Sequence, residues 1–411
     1  MTRPPEVEEP LSPASRGWLA GTTAEDRKKS GQYMTPRRVA DALLSRVDLS
    51  LGMRVLDPGV GTGELLAAAA RRCDGLELFG WDIDDQILAA CAVHLPGVEL
   101  EKRSALEPWS GEMFDLVIGN PPFFQLRPGP DLKQRYAGVI SGRANIFAFF
   151  FQAGLELLRP GGQLAYVVPP SLNSGAYFEG LREHITRVAS IEGLVILEGT
   201  DLFEGANTAV QLIVLRKHGP GLQPTSDFRF EKSCPDSGFR RVVFSADPDR
   251  LAGCFEGRRT LWELGFAAHT GTIVWNQHRK RLVRTASKET VPLIWSHNLR
   301  DGEIDFGNRS EKPQYILPPG PVEQGPAVLV NRVVGSVGKG ELRVALVPEG
   351  ATFLVENHVN VIRPRPGAVP KVDWQELKRM LADPGAAQRV RLLTGNTQIS
   401  ATELTQLLPL G

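Results

Sequence analysis

The sequence predicts an α/β fold with a mainly parallel sheet, followed by a second, β-rich domain. Three observations predict this class: strand-like and helix-like segments alternate from about residue 53, the strand-like segments are continuously apolar, and the alternation stops near residue 220. Continuously apolar strands that alternate with helices are typical of a parallel sheet covered by helices on both faces. The chain has 411 residues, which is enough for two domains.

The predicted elements follow one another in a regular order. Strand MRVLD, loop GVGTG and helix ELLAAAARR come first, and strand LELFGWDID and helix QILAACAVHL come next. Strand FDLVIG then precedes the long helix NIFAFFFQAGLELLR, which Pro160 and Gly161 are expected to end, and the strand QLAYVVP. After helix FEGLREHITRV, the runs EGLVILEG and AVQLIVLRK have no helix between them and are expected to pair antiparallel.

Beyond the linker expected within residues 217–227, short β-like runs replace the helices: GTIVW, VPLIW, AVLVNRVV, ATFLV and HVNVI. The predicted organisation is a disordered, Pro- and Glu-rich tail over residues 1–24, a first domain over 25–220 and a second over 228–411.

Composition and charge exclude several classes of protein. The formal net charge is zero, so a strongly basic nucleic-acid binder is not indicated for the whole chain. The first 220 residues, however, carry about five more acidic than basic side chains, and the remainder carries the opposite excess, so a polyanion should prefer the second part. The four cysteines lack CxxC spacing, which indicates no metal site and a reduced, cytoplasmic protein. No signal peptide or membrane-length apolar run is present in the sequence, so no membrane partner is expected.

The stretch VLDPGVGTGELL, residues 55–66, places a carboxylate and a glycine loop between a strand and a helix. Gly59, Gly61 and Gly63 let the backbone approach a ligand closely at the carboxyl end of the strand. The spacing is GxGxG rather than the GxGxxG of dinucleotide sites, and Asp57 would repel a pyrophosphate. A cationic ligand such as S-adenosylmethionine is therefore favoured over NAD.

The stretch FGWDID, residues 79–84, ends the second strand with acidic side chains. Asp82 lies about 20 residues beyond the glycine loop, where a carboxylate can accept hydrogen bonds from both ribose hydroxyls. Asp84 is the alternative for this role, and Ile83 is expected to lie against an adenine ring.

The stretch IGNPPFF, residues 118–124, indicates a clamp for an amine on a planar ring. The side-chain oxygen of Asn120 and the carbonyl of Pro121 can each accept a hydrogen bond from the amine, Pro122 stiffens the loop, and Phe123 offers a flat face. No metal or cysteine nucleophile is needed, because such a clamp acts by orientation and electrostatics.

The stretch SGQYMTP, residues 30–36, precedes the glycine loop. Thr35 and Pro36 are expected to begin the helix RRVADALLSRV, with a cap at its start. By itself this stretch is weak evidence for a site.

In this order, GQYMTP, DPGVGTGE, NPPF and the β-rich second part resemble the γ-class (TaqI-type) DNA adenine-N6 methyltransferases, over most of residues 30–216. The resemblance implies a Rossmann-like, seven-stranded, S-adenosylmethionine-dependent catalytic domain and a C-terminal target-recognition domain. It further implies that an adenine is flipped out of a short duplex site and methylated at N6, as the modification step of a restriction-modification system. The expected partners are double-stranded DNA and a cognate restriction endonuclease acting separately, in the bacterial cytoplasm and at the nucleoid when DNA is bound.

The resemblance also implies roles for individual residues. Asn120, Pro121, Pro122 and Phe123 would be catalytic, and Phe203 would lie on the other face of the target base from Phe123. Ser104 occupies the place where the family often has an acid that contacts the cofactor adenine, with Glu107 nearby, so that contact stays open. The residues expected to bind the cofactor are Tyr33, Thr35, Pro36, Asp57, Pro58, Gly59, Gly61, Gly63, Asp82, Ile83, Ser104, Asn120 and Pro122.

The second part resembles target-recognition domains only loosely. Within GTIVWNQHRKRLVR, residues 271–284, Arg and Lys suit phosphates, whereas Asn and Gln suit adenine edges. The residues expected to bind DNA are Trp275, Asn276, Gln277, Arg279, Lys280, Arg281 and Arg284.

Two alternatives remain at this point. The same clamp would accept a ribosomal RNA base or a protein glutamine amide, although glutamine methylases typically lack a C-terminal domain. A DNA-specificity module without catalytic activity is the other alternative, and the intact Asn120, Pro121 and Pro122 argue against it. A cytosine-N4 methylase is less favoured, because its clamp usually opens with Ser.

Overall fold

The computed structural model describes residues 11–23, 31, 33–142, 144–197, 209–221, 225, 227–234, 239–307, 311–332, 342–395 and 398–411. The chain forms two compact units. The first consists of Met1–Asn173, Tyr177–Arg229 and Phe244–Pro248, and the second consists of Ser174–Ala176, Phe230–Val243 and Asp249–Gly411.

The first unit is built on a seven-stranded sheet with the strand order β3-β2-β1-β4-β5-β7-β6. Strands β1 to β5 pair in parallel, whereas β7 runs antiparallel to both β5 and β6. The predicted α/β class and the antiparallel pairing of the last two strands are therefore confirmed. The strands are β1 (Arg54–Asp57), β2 (Glu77–Asp82), β3 (Glu99–Lys102), β4 (Phe114–Gly119), β5 (Leu158–Val168), β6 (Ala189–Leu197) and β7 (Val210–Lys217).

Most helices of this unit bury apolar residues, such as Leu43 and Leu66, whereas the short helix Pro130–Arg135 buries none. The long helix predicted over NIFAFFFQAGLELLR ends at Leu157, and β5 begins at once because Leu158 already pairs with Phe114 of β4. Pro160 and Gly161 therefore lie within the strand and do not end the helix, contrary to expectation. Among the described helices of the chain, none has the length and apolar character needed to cross a membrane. The helices are α1 (Pro13–Gly21), α2 (Arg37–Leu44), α3 (Glu64–Arg72), α4 (Asp85–His94), α5 (Pro130–Arg135), α6 (Ile146–Leu157) and α7 (Glu179–Val188).

Helix α1 lies within the segment expected to be disordered. The Ser12 side chain caps this helix by accepting a hydrogen bond from the Ser15 N–H, and the Ser12 N–H donates to Glu64 Oε1 at 2.9 Å. Ser15 is fully buried. The expectation of disorder over residues 1–24 is therefore wrong for this helix, because the burial of Ser15 and its contacts with Glu64 order a segment whose composition alone suggested none.

The second unit is rich in short strands, as the sequence predicts. Four of the five predicted strands form, but GTIVW is not one of them, because only Ile273 of that run makes a bridge, to Glu356. Helices α9 and α10 were not predicted; buried leucines such as Leu377 and Leu393 show that they cover apolar surface. Beyond β8 (Arg229–Cys234), β9 (Phe239–Phe244) and α8 (Pro248–Gly253), the elements are β10 (Phe266–Thr270), β11 (Leu282–Val283), β12 (Val291–Ile294), β13 (Leu299–Arg300), β14 (Glu303–Ile304), β15 (Tyr315–Ile316), β16 (Glu323–Gln324), β17 (Ala327–Asn331), β18 (Val344–Val347), β19 (Thr352–Val355), β20 (Val359–Pro364), α9 (Trp374–Ala382), α10 (Pro384–Thr394) and α11 (Ala401–Gln406).

Gly63 at the start of α3 should tolerate no side chain. Its φ is +88°, and an added Cβ would lie 2.8 Å from the Cys91 Sγ. Gly97 has a similar φ of +97° with open space around it, so it serves as the matched control. We expect Gly97→Ala to lower the free energy of unfolding by about 1–2 kcal/mol through backbone strain alone, and Gly63→Ala to lower it by roughly 2–4 kcal/mol. Urea denaturation of both variants measures the difference, and equal losses would contradict the steric argument.

Candidate active site

A cavity of about 260 Å³ lies at the carboxyl edge of the first unit's sheet. The loops that follow β1, β2, β3 and β4 meet there, together with the segment before α2 and one face of α6. Loops at the carboxyl ends of parallel strands are the usual ligand site of such sheets. The lining residues are Gly31, Tyr33, Met34, Thr35, Asp57, Pro58, Gly59, Val60, Gly61, Thr62, Glu64, Leu65, Asp82, Ile83, Ile87, Arg103, Ser104, Ala105, Leu106, Asn120, Pro122, Phe124, Ile146 and Phe150.

Most residues predicted to bind the cofactor line this cavity, and two do not. Pro36 and Gly63 are instead the N-cap residues of α2 and α3. Sequence reasoning missed the apolar lining, such as Phe150 on α6, because an apolar residue in a buried helix is indistinguishable from core by its pattern alone. It also missed Arg103 and Glu64, although each is adjacent to a predicted residue.

One buried and one partly buried carboxylate give the cavity its electrostatic character. Asp57 is 2 % exposed, and its Oδ1 accepts a hydrogen bond from the Gly59 N–H at 3.1 Å. Burial raises the pKa of Asp57 to about 7; the Gly59 N–H opposes this, and the charge of Asp82 adds to it. The pKa of Asp82 is also raised, mainly by burial, while hydrogen bonds from the N–H groups of Asp84, Gly61 and Ile83 act against the shift. A cation in the cavity would favour the ionised form of both acids.

The strand-end acids have different partners. Asp82 accepts from the Gly61 N–H at 3.2 Å and so joins the end of β2 to the glycine loop. Asp84 lies outside the cavity lining and caps α4 by accepting from the Gln86 N–H at 2.9 Å. The geometry thus favours Asp82 over Asp84 as a ligand group. Ile83 is 72 % exposed in the wall of the cavity and offers an apolar surface for a planar ring.

The amide of Asn120 is held in one orientation by the segment before α2. Its Nδ2 donates to the Tyr33 carbonyl at 3.0 Å and to the Thr35 hydroxyl at 3.1 Å. Because a carbonyl oxygen can only accept, Nδ2 and not Oδ1 must face Tyr33. The buried Oδ1 therefore points away, and it has no hydrogen-bond partner among the described residues. The hydroxyl of Thr35 is engaged here and does not cap α2, whose N-cap, Pro36, has no side-chain bond, so the expected cap is wrong.

Close packing brings the NPPF loop and the preceding segment together. An added Cβ at Gly31, whose φ is +66°, would lie 2.9 Å from the Pro122 Cβ. Phe124 lines the cavity, whereas the ring of Phe123 lies edge-on to Phe147 at 6.1 Å and outside the lining. Phe203 lies outside the described residues, so the paired stacking of Phe123 and Phe203 stays a prediction.

Glu64 connects the cavity to α1. It is 6 % exposed, and its Oε1 accepts from the Ser15 hydroxyl at 2.6 Å as well as from the Ser12 N–H. The Thr62 hydroxyl lies 2.6 Å from the Ser15 Oγ and donates to the Met34 Sδ at 3.2 Å. These contacts fix one wall of the cavity through residues more than forty positions apart, which no local pattern could indicate.

The residues predicted to bind DNA lie in the second unit and are all exposed. Arg279, Lys280 and Arg281 form a short 3-10 helix, and the Arg279 guanidinium lies 4.9 Å from the centre of the Trp275 ring. They form a solvent-facing basic turn that follows the predicted strand GTIVW. Within the described ranges, no three His, Cys, Asp or Glu side chains are grouped as a metal site would require.

The seven-stranded sheet and the acid-lined cavity at its carboxyl edge define the class of protein as an S-adenosylmethionine-dependent methyltransferase. A family model for N-6 DNA methylases matches residues 16–229, which is more than half of the chain. The chain therefore belongs to the N-6 DNA methylase family, and the resemblance drawn from the motifs is confirmed.

Three known proteins show what the chain is similar to. The modification methylase CviBIII of Paramecium bursaria Chlorella virus NC1A is 25% identical over 70% of this chain and 70% of its own length. The type II methyltransferase M.BsuBI of Bacillus subtilis is 22% identical over 92% of this chain and 87% of its own. A solved methyltransferase subunit of a type I restriction-modification system from Streptococcus thermophilus is 20% identical, with a TM-score of 0.41, and covers 59% of this chain and 56% of its own.

S-adenosylmethionine is the cofactor, and the cavity fits it. Asp57 and Asp82 supply negative charge for a cationic ligand, the glycine loop leaves room for close approach, and Ile83 offers an apolar face. We expect these lining residues to hold the cofactor.

The affinity for S-adenosylmethionine should depend on the ionisation of Asp57. Since its pKa is about 7, we expect affinity to rise between pH 5.5 and about 7 and then to level off. S-adenosylhomocysteine lacks the sulfonium charge and is the matched ligand, and its affinity should change less over the same range. Isothermal titration calorimetry measures both, and parallel pH profiles would contradict the electrostatic role.

The stability of the protein without cofactor should change with pH in the opposite direction. The folded state holds the proton of Asp57 more tightly than the unfolded chain does, so the free energy of unfolding should fall as pH rises from about 4 to 7.

The hydroxyl of Thr35 should matter for turnover through Asn120. Thr35→Val keeps the shape of the side chain but removes one of the two acceptors of the Asn120 amide, which costs about 1 kcal/mol or roughly 5- to 10-fold in turnover. Thr35→Ser keeps the hydroxyl and should stay near the wild-type rate. Steady-state methylation kinetics, with cofactor affinity measured separately, check this. Equal rates for the two variants would show that Tyr33 alone suffices.

Proposed function

We propose that this protein is a DNA adenine-N6 methyltransferase that modifies an adenine in a short duplex site, as the modification enzyme of a restriction-modification system. The observation that carries the proposal is the buried Oδ1 of Asn120, which has no partner in the part of the chain that the structure describes. It is an acceptor held ready for an N–H donor, and the exocyclic amine of adenine supplies one. The carbonyl of Pro121 would accept the second N–H.

The clamp would act on the nitrogen lone pair. Two acceptors on the amine protons hold the lone pair out of conjugation with the ring and aim it towards the cavity. When bound, S-adenosylmethionine supplies a methyl group on a positively charged sulfur. Asn120, held by Tyr33 and Thr35, does not need to reorganise during the reaction, which lowers the barrier.

The target adenine has to leave the helix for this geometry. Inside a stacked duplex its amine is hydrogen-bonded and cannot be approached along the lone pair, so the base would be flipped into the site. Phe123 and Phe203 would stack on the extruded ring. Target recognition would belong to the second unit, with the basic turn at Trp275–Arg281 contacting the duplex, and a separate endonuclease would cut the unmodified site.

The direct test is chemical analysis of DNA. Wild-type protein and the Asn120→Ala variant are incubated with S-adenosylmethionine and unmethylated genomic DNA, and the nucleosides are identified by mass spectrometry. We expect N6-methyladenine from the wild type and a rate lower by about 10²–10³-fold from the variant, since one preorganised polar contact in a transition state has this size. Cofactor affinity should be nearly the same in both proteins.

Two outcomes would contradict the proposal. No methylated adenine from the wild type, with cofactor still bound, would exclude the DNA substrate. Methylation by Asn120→Ala near the wild-type rate would exclude the role of Asn120.

A further inference from the structure

The second unit contains a large, polar cleft that none of the sequence motifs indicated. Its volume is about 970 Å³, compared with about 260 Å³ for the cofactor cavity. The hairpin β13–β14, the start of β18 and the helices α9 and α10 form its walls. The lining residues are Leu299, Arg300, Asp301, Gly302, Leu342, Arg343, Val344, Lys378, Arg379, Ala382, Asp383, Pro384, Ala387, Gln388 and Arg391.

The cleft is rich in cations that lack acidic partners. Arg300, Arg343 and Lys378 form no ion pair with any carboxylate of the described residues. The lining holds five basic and two acidic side chains. Of the acids, Asp383 pairs with Arg389 at 3.0 Å, and Asp301 forms no ion pair with a cation of the described residues. The local excess of positive charge is therefore available to an external anion, although the chain as a whole is neutral.

Backbone geometry fixes the turn and the strand that carry Arg300 and Arg343. Asp301 and Gly302 have φ values of +48° and +81°, so the hairpin turns tightly and presents Arg300 at its edge. An added Cβ at Gly302 would lie 3.3 Å from the Lys378 Nζ, so this ammonium group rests against the turn. The Arg343 N–H donates to the Asn331 Oδ1 at 2.7 Å, which fixes the start of β18.

The positive charges of the cleft also affect the pKa of a nearby histidine. The pKa of His297, which precedes β13, is lowered by burial first and then by the charges of Lys312, Arg300 and Arg343. Two of these three cations line the cleft. The cations of the cleft thus add to the effect of burial in lowering the pKa of His297, while Glu356 acts against it.

The cleft is also connected to the basic turn. Arg332 follows Asn331 and donates from its N–H to the His358 carbonyl at 2.8 Å and from its Nη1 to the Asn357 carbonyl at 3.3 Å. The Asn357 N–H in turn donates to the Ile273 carbonyl at 3.0 Å, two residues before Trp275. Hydrogen bonds therefore link the segment next to the cleft with the segment that precedes the basic turn.

We infer that this cleft binds the phosphate backbone of duplex DNA and supplies affinity that is independent of sequence. The inference rests on the proposed function, and it adds a second contact surface to the turn at Trp275–Arg281. Cations from three separate elements can each contact a different phosphate along the duplex. Contacts to phosphates position a protein on the duplex without reading its bases.

The test is the salt dependence of binding to a labelled 30-base-pair duplex of random sequence. The triple variant Arg300→Gln, Arg343→Gln and Lys378→Gln should reduce the slope of log K against log [salt] by about 2.7, which is 0.9 for each of the three phosphates that the variant no longer neutralises. At 0.1 M salt this corresponds to an affinity lower by roughly 100- to 500-fold. Lys371→Gln removes an exposed charge outside the cleft lining and should leave the slope unchanged.

Three controls separate the loss of charge from a loss of folding. Melting temperature and cofactor affinity should be the same in all variants, and Lys378→Arg should retain the wild-type slope. Retention of the wild-type slope by a folded triple variant would overturn the inference, while N6-methyladenine formed by the wild type on genomic DNA would still support the proposed function. A wild type that binds the duplex through the cleft but leaves no methylated adenine would contradict the proposed function alone. A wild type that does not bind the duplex overturns both.

Discussion

The orientation of one amide determines what the active site can do. Asn120 directly follows β4, and its side chain carries one hydrogen-bond acceptor and one donor, so a rotation of 180° would exchange the two. The Tyr33 carbonyl and the Thr35 hydroxyl remove that ambiguity, because together they require the Nδ2 side. The segment before α2 thus fixes which polar atom Asn120 presents to a ligand, which is how it would act in the proposed reaction. This accounts for a motif that precedes the glycine loop in sequence but faces the loop after β4.

The cofactor cavity depends on charges that are costly to bury. Burial raises the pKa of both Asp57 and Asp82, and only a few backbone N–H groups offset the loss of water. A cationic ligand offsets this cost further, whereas a neutral or anionic one does not. The two acids of the cavity therefore favour a cationic ligand. The contacts of Ser15 with Thr62 and Glu64 hold the wall of the cavity, so α1 supports the site although none of its residues lines the cavity.

The net charge of the chain is zero because its two parts carry opposite charge excesses. Acidic residues are in excess where a cation has to be bound, and basic residues are in excess where a polyanion would lie. The basic excess is not spread evenly, since Arg300, Arg343 and Lys378 converge from separate elements onto one cleft. In isolation each is an ordinary surface cation, and their common placement gives them a shared electrostatic effect.

The sequence by itself determined the class of fold, the antiparallel pairing of the last two strands of the first sheet, and the residues of the cofactor loop. These follow from the spacing of apolar residues along the chain and from the spacing of glycines and carboxylates. It placed Asn120, Asp57 and Asp82 in one site, since parallel strands bring their carboxyl ends to one edge. Only the tertiary structure decided which acid faces the cavity. Asp82 and Asp84 are two residues apart, but Asp82 accepts from the Gly61 N–H of the glycine loop, whereas Asp84 caps α4. Tertiary contacts also ordered α1, reduced the predicted strand at GTIVW to a single bridge at the buried Ile273, and assembled the basic cleft. Each of these depends on residues distant in sequence, and the energy of such contacts leaves no periodic signal in the chain.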